Sequence, residues 1–232
     1  MKKIILSMMM VFTINGFADT ASNKAFVKSM YDTYQSGTAK EFTGKYTSML
    51  ADDYQRWNGR YVGLGFRTSE DGMTVLGTTN LPAADHLKAG DVFVSVNGVM
   101  AGPDAELPFK GAIGGDVNIV LKRDGKEMKI SMKRAAQENT SDKDQMMTWM
   151  SDWDEENWSK RSKIITMNPV IAEGNEVWGS FESMDTNDEG NEVRWWTVER
   201  FQFNDKGQLS NHGDMQEDMF IAEQNGYSLL KE

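Results

Sequence analysis

The chain has 232 residues, a formal net charge of −10 and no cysteine. That length suits one large domain or two small ones and is enough to bury a core, while the acidic balance works against nucleic-acid backbones and anionic lipid surfaces as partners. Without cysteine there are no disulfides, thiolate metal ligands or thiol nucleophiles, and with His86 and His212 as the only imidazoles no multi-histidine metal centre can be built, so neither a metal nor a cofactor is expected.

Met1 to Ala18 combine a basic start (Lys2, Lys3), an apolar run from Ile4 to Ile14 and the small-residue ending Gly16-Phe17-Ala18. This is the composition of a secretory leader, too short to span a bilayer, and it predicts a secreted protein, with the periplasm as the expected compartment and no membrane insertion once the leader is removed.

Beyond it, Phe26, Met30 and Tyr34 recur at helical spacing up to Gly37. Thr38-Ala39-Lys40-Glu41 is a capping-box pattern, predicting a second helix whose face carries Phe42, Tyr46, Met49 and Leu50 and which Asp52-Asp53 ends. Tyr54 to Asn58 predicts a short strand leading into Tyr61-Val62-Gly63-Leu64-Gly65-Phe66.

Alternating glycines let successive backbone N–H groups converge into an anion-binding nest. Gly63-Leu64-Gly65-Phe66, with Leu81-Pro82-Ala83-Ala84 and Val96-Asn97-Gly98 downstream, resembles the carboxylate-binding loop and following run of a PDZ domain. The resemblance implies that Gly63, Leu64, Gly65 and Phe66, aided by Arg60, hold the terminal carboxylate of a peptide that adds as a strand along Phe66–Ser69. It further implies a groove lined by Arg67, Thr68 and Leu107. The helix that forms the second groove wall in that family is undercut by Pro103 and Pro108, so at most a short turn is expected there.

Met146, Trp149, Met150 and Trp153 then fall at i, i+3, i+4 and i+7, an amphipathic third helix. Strands are predicted at Ile164–Val170, Val177–Met184, Trp195–Phe203 and Gln208–Met215, with turns at Ala172–Glu176, Asp185–Asn191 and Asn204–Gly207. In the third of these, Trp195, Thr197, Glu199, Phe201 and Phe203 share one face. The recurrence of Glu-Gly-Asn-Glu-Val at 173–177 and 189–193 is shared turn chemistry rather than a repeat.

This order of elements, with Asn23-Lys24-Ala25-Phe26-Val27, Met49-Leu50-Ala51-Asp52-Asp53 and Phe201 through Leu209, resembles the NTF2-like, or SnoaL-like, cone. The resemblance implies an α+β fold of three helices on a curved, mainly antiparallel sheet. The expected organisation is a leader at 1–18, a discontinuous cone at 19–59 and 135–232, and a PDZ-like small β-barrel at 60–134.

In ketosteroid-isomerase-like relatives of that cone an aspartate serves as general base, and here its position is Asn58, which cannot take up a proton. Their oxyanion-donating tyrosine falls on Met30, one residue from Tyr31. His212-Gly213-Asp214 matches a His-x-Asp used by some SnoaL-like cyclases, making His212 and Asp214 the catalytic candidates, against the plainer reading of a strand-end histidine beside a solvated acid. Tyr31, Trp57, Asn58, Trp149, Trp153 and His212 are the expected pocket residues. The leading functional expectation is a binding protein for an extended peptide or protein C-terminus, its cone serving to dimerise or to hold a small apolar ligand. The alternative is a lyase, isomerase or hydrolase acting in the cone on a small hydrophobic substrate, with the insert as a gate.

Overall fold

A computed structural model describes residues 19–228; the leader-like segment lies outside them. The chain divides into two compact units, residues 1–57 with 140–232 and residues 58–139.

The first unit begins with α1 (Thr20–Ser36), capped by the Asp19 carboxylate, which accepts from the Ala21 N–H. After Gly37, the Thr38–Glu41 capping box opens α2 (Ala39–Thr47), as its sequence predicts. The helix stops earlier than its apolar spacing suggests. Leu50 starts β1 (Leu50–Gly63), a 14-residue strand that absorbs Asp52 and Asp53 instead of breaking at them. Both aspartates are exposed and Ala51 and Tyr54 buried; the pairing register with β13 is irregular between Leu50 and Gln55, which lets two consecutive acids face solvent.

In the second unit, β2 (Phe66–Thr68) pairs among the described residues only with β3 (Val75–Thr78), as a two-stranded sheet. The short α3 (Ala83–His86) follows, then β4 (Val92–Val96), β5 (Val99–Met100), β6 (Asp116–Arg123) and β7 (Lys126–Lys133), which form a four-stranded sheet in the order β5-β4-β6-β7. A single bridge, Thr74 to Val92, links the two sheets. The expected closed small barrel is therefore two separate sheets around one core of Leu64, Val75, Leu87, Phe93, Val96, Val117, Ile119, Leu121 and Met132. Arg123 spans this unit's edge with a two-toothed ion pair to buried Asp91, at 2.7 Å for both nitrogens.

The chain returns to the first unit through β8 (Ala135–Asp142), which passes into α4 (Lys143–Ser151) through a second capping box made by Asp142 and Gln145. α5 (Glu155–Ser159), not anticipated, places Trp158 in the core. The remaining strands are β9 (Lys163–Met167), β10 (Ile171–Glu173), β11 (Glu176–Thr186), β12 (Glu192–Phe203) and β13 (Leu209–Gln216), before α6 (Asp218–Gln224). β9 stops short of the predicted Val170, consistent with Pro169, which has no N–H to donate to a ladder.

The resulting sheet is mixed, in the order β10-β11-β12-β13-β1-β8 with β9 on β11. β1 lies parallel to β13, whereas β9, β10, β11, β12 and β13 pair antiparallel. The helices cover one face. Val27, Met30 and Tyr31 from α1 and Phe42 and Tyr46 from α2 pack with Phe181, Phe201, Phe203 and Leu209 from the sheet. Burying each such side chain contributes roughly 1.5–3 kcal/mol. Among the described residues, no helix is long and apolar enough to cross a membrane.

Candidate functional site

Between the helices and the sheet of the first unit is a cavity of about 200 Å³. Its walls are aromatic and thioether side chains, including Tyr34, Phe42, Met146, Trp149, Trp153 and Trp195. Its floor is polar, because three neighbouring strands each turn an ionisable residue inward.

The sheet register sets this floor. Arg56 on β1 lies opposite His212 on β13, and β12 pairs Phe201 with His212 and Glu199 with Asp214. His212 is buried and stacks on Phe201, with ring centroids 4.2 Å apart. Its Nδ1 lies 2.8 Å from Arg56 Nη1 and 2.7 Å from the Tyr46 hydroxyl. A guanidinium only donates, so Nδ1 is the acceptor and the proton sits on Nε2. Nε2 faces Glu199 Oε1 at 3.5 Å and makes no hydrogen bond among the described residues. The other Glu199 oxygen accepts from the Tyr31 hydroxyl at 2.6 Å.

Burial, and then the positive Arg56, hold His212 below its ordinary pKa despite Glu199, so it is neutral at pH 7. Burial alone would raise Glu199. The adjacent His212, the hydrogen bond from Tyr31 and the field of Arg56 reverse this and hold it below the usual carboxylate range, hence ionised. Tyr31, buried and beside that carboxylate, is pushed far up and keeps its proton. The Tyr46 and Tyr54 hydroxyls, 2.6 Å apart, extend the network inward. Gly179 on β11 makes room for Tyr31: a Cβ there would lie 2.2 Å from the Tyr31 hydroxyl oxygen.

His212 and Asp214 both line the cavity, yet they do not form the expected acid–base pair. Asp214 forms an ion pair with Arg56, whose guanidinium lies between the carboxylate and the imidazole. Tyr31, Trp149 and Trp153 stand in the wall as expected, and Met30 joins them. Trp57 and Asn58 are not wall residues. Strand alternation gives Tyr54 and Arg56 the inner face and turns Trp57 away onto Gly213; Asn58 is exposed and belongs to the other unit. Sequence reasoning missed Glu199, Arg56, Tyr46 and Tyr54. Glu199 carried a signal, as an acid on the aromatic face of an alternating strand.

The second unit has a groove of about 280 Å³, lined by Tyr61 through Phe66, Thr68, Ala105, Leu107, Phe109 and Lys110, among others. The Leu64 carbonyl accepts from the Ala83 N–H, and the Gly65 carbonyl from those of Thr79 and Asn80. In a planar trans peptide the following N–H points the opposite way, so the Gly65 and Phe66 N–H groups both face away from that segment. Phe66 pairs with Thr78, and the Thr79-to-Gly65 bond makes this a non-hydrogen-bonded pair, again turning the Phe66 N–H to the outer edge of β2. Thr68 and Leu107 line the groove as expected. Arg67 does not, because on a strand it faces opposite to Phe66 and Thr68. Arg60 is exposed and leans toward Glu138 at 3.8 Å, outside the groove wall. The basic residue at the groove is Lys110. Residues 101–115 contain no helix, as the two prolines predict.

No protein-family model matches the sequence, and no curated protein matches it. Similar solved structures include an NTF2-like protein from Anabaena variabilis ATCC 29413, at 10% identity over 90% of this chain and 94% of that one, with a TM-score of 0.36. A phenazine biosynthesis-related protein from Pseudomonas aeruginosa is 9% identical over 94% and 96% of the two chains, with a TM-score of 0.39. A SnoaL-like polyketide cyclase candidate from Jannaschia sp. CCS1 is 10% identical over 90% and 93%, with a TM-score of 0.39. At such identities and TM-scores no residue role is carried over from any of them.

Proposed function

We propose that the second unit is a PDZ-like module that binds the C-terminus of an extended peptide, acting outside the cytoplasm as the leader-like Met1–Ala18 implies. The observation that carries this is the pair of N–H groups on Gly65 and Phe66, both turned toward the outer edge of β2. A carboxylate there would accept two charge-assisted hydrogen bonds of about 1.5–3 kcal/mol each, and a peptide strand along β2 would add ladder bonds and Leu107 contacts. Micromolar affinity, about −8 kcal/mol, is within that reach. The test is selection from a random library of peptides with free C-termini, followed by titration of each binder and its amidated form. Binders that weaken at least about tenfold on amidation support the module. Equal binding of amidated peptides, or no enrichment, counts against it.

A second reading is favoured by the ionised Glu199 on the floor of an aromatic cavity: the first unit holds a small, largely apolar molecule. Glu199 meets whatever proton or charge that molecule presents. In a catalytic version Glu199 is the base, because His212 is held neutral with Nδ1 occupied and Asp214 is engaged by Arg56. Soaking or titration with a library of small aromatic and aliphatic compounds, read by tryptophan emission, tests it; absence of any saturable ligand removes it.

A further inference from the structure

Among the described residues, Glu199 is the one charge on the cavity floor without a fixed partner of opposite sign. Of the charged side chains in the wall, Arg56 neutralises Asp214, and His212, whose Nδ1 accepts from Arg56, is an uncharged imidazole. Tyr31, Tyr34 and Tyr46 contribute only neutral phenols. Among the described residues no lysine or arginine pairs with Glu199, although its side chain is only 16% exposed. A carboxylate removed from water to this extent draws a counter-charge strongly.

The walls suit a particular kind of counter-charge. Trp149 and Trp153 meet edge to face at 4.7 Å, Trp153 stacks on Phe42 at 5.9 Å, and Trp195 and Phe181 add further rings around the same space. Ring faces attract cations, most strongly indole, and repel anions. The same unit already uses such rings this way, with the Arg161 guanidinium 4.3 Å from the Trp158 ring. An inorganic cation would leave these apolar walls unsatisfied. A neutral apolar molecule would leave the carboxylate unpaired.

We infer that the cavity's ligand is a small organic cation, an amine or quaternary ammonium carrying an apolar group, seated with its charge toward Glu199 and its hydrocarbon against Trp149, Trp153 and Trp195. This rests on the cavity being a ligand site and names the class of that ligand. The net charge of −10 adds a long-range attraction for cations.

The test uses the full chain and two probes of nearly identical shape, phenyltrimethylammonium and tert-butylbenzene, titrated calorimetrically and by tryptophan emission. Phenyltrimethylammonium is expected to bind about tenfold tighter or better, and Glu199→Gln to remove that preference while leaving tert-butylbenzene within about twofold. Equal or tighter binding of tert-butylbenzene to the unaltered chain overturns the cation assignment and leaves the cavity as a ligand site. Failure of both probes to saturate overturns the assignment and the cavity reading together. A preference for the cation that survives Glu199→Gln overturns the role of Glu199.

Discussion

In the cavity, binding would fall to side chains. Tyr31, Arg56, Glu199, His212 and Asp214 arrive from α1, β1, β12 and β13, and their hydrogen bonds and ion pairs decide what they do. In the groove it would fall to the backbone: the useful groups are the N–H atoms of Gly65 and Phe66, aimed by where the Leu64 and Gly65 carbonyls are bonded. A backbone-built site tolerates changes of side chain but not the gain of a Cβ at its glycine. A side-chain site depends on packing and charge, and each neighbour that makes room for it becomes critical.

Gly65 is the position where the backbone-built site is most vulnerable. It has φ of +81°, and a Cβ would lie 2.8 Å from both the Asn80 carbonyl oxygen and Gln137 Oε1. Gly65→Val should destabilise by about 3–4 kcal/mol and abolish peptide capture, read as lost amide protection in residues 58–139 by hydrogen exchange. Unchanged protection would mean that the loop does not need its glycine.

Gly179→Ala is the counterpart for the cavity. Pushing Tyr31 off Glu199 should cost roughly 2 kcal/mol in urea unfolding. Tryptophan emission reports it, since all seven tryptophans fall in the first unit. A midpoint equal to that of the unaltered chain would show that Tyr31 is not fixed there.

Tyr31→Phe keeps the packing and deletes one charge-assisted bond to Glu199, for an expected loss of about 1–2 kcal/mol. If stability instead rises, the carboxylate is served by water or ligand rather than by this phenol.

The smallest effect should come from pH. Because the folded state holds His212 below its ordinary value of 6.5, the unfolded chain binds the extra proton first as pH falls. Stability should be level above that value and decline below it until the folded-state pKa is passed. Glu199, also lowered, adds a decline in the same direction below its ordinary value of 4.5. Urea midpoints at pH 7.5 and 5.5 should show the loss, and His212→Gln should shrink it; a midpoint that rises on acidification contradicts the neutral-imidazole assignment.

Much of the first unit was legible because its signals are local. The Thr38–Glu41 box opened α2, the 3.6-residue spacing marked α1 and α4, and strict alternation marked β12. Boundaries failed where tertiary contacts outbid local pattern. Leu50 left the helix for a strand, and β1 ran through Asp52 and Asp53, because solvent-facing positions accept acids at no cost in burial. The His-x-Asp spacing correctly put two residues on one face but could not show that Arg56 would come between them. That depends on β1 lying parallel to β13 with Arg56 opposite His212.

Glycine's freedom at positive φ is a property of the residue, so the groove loop could be read from the chain alone, as could the faces of the helices and strands that carry aromatic side chains. Which ionisable groups share the cavity became visible once the sheet was assembled. Glu199, Arg56, Tyr46 and His212 are separated by up to 166 positions along the chain, and their charges follow from burial and from each other, quantities that exist only after β12, β13 and β1 are laid side by side.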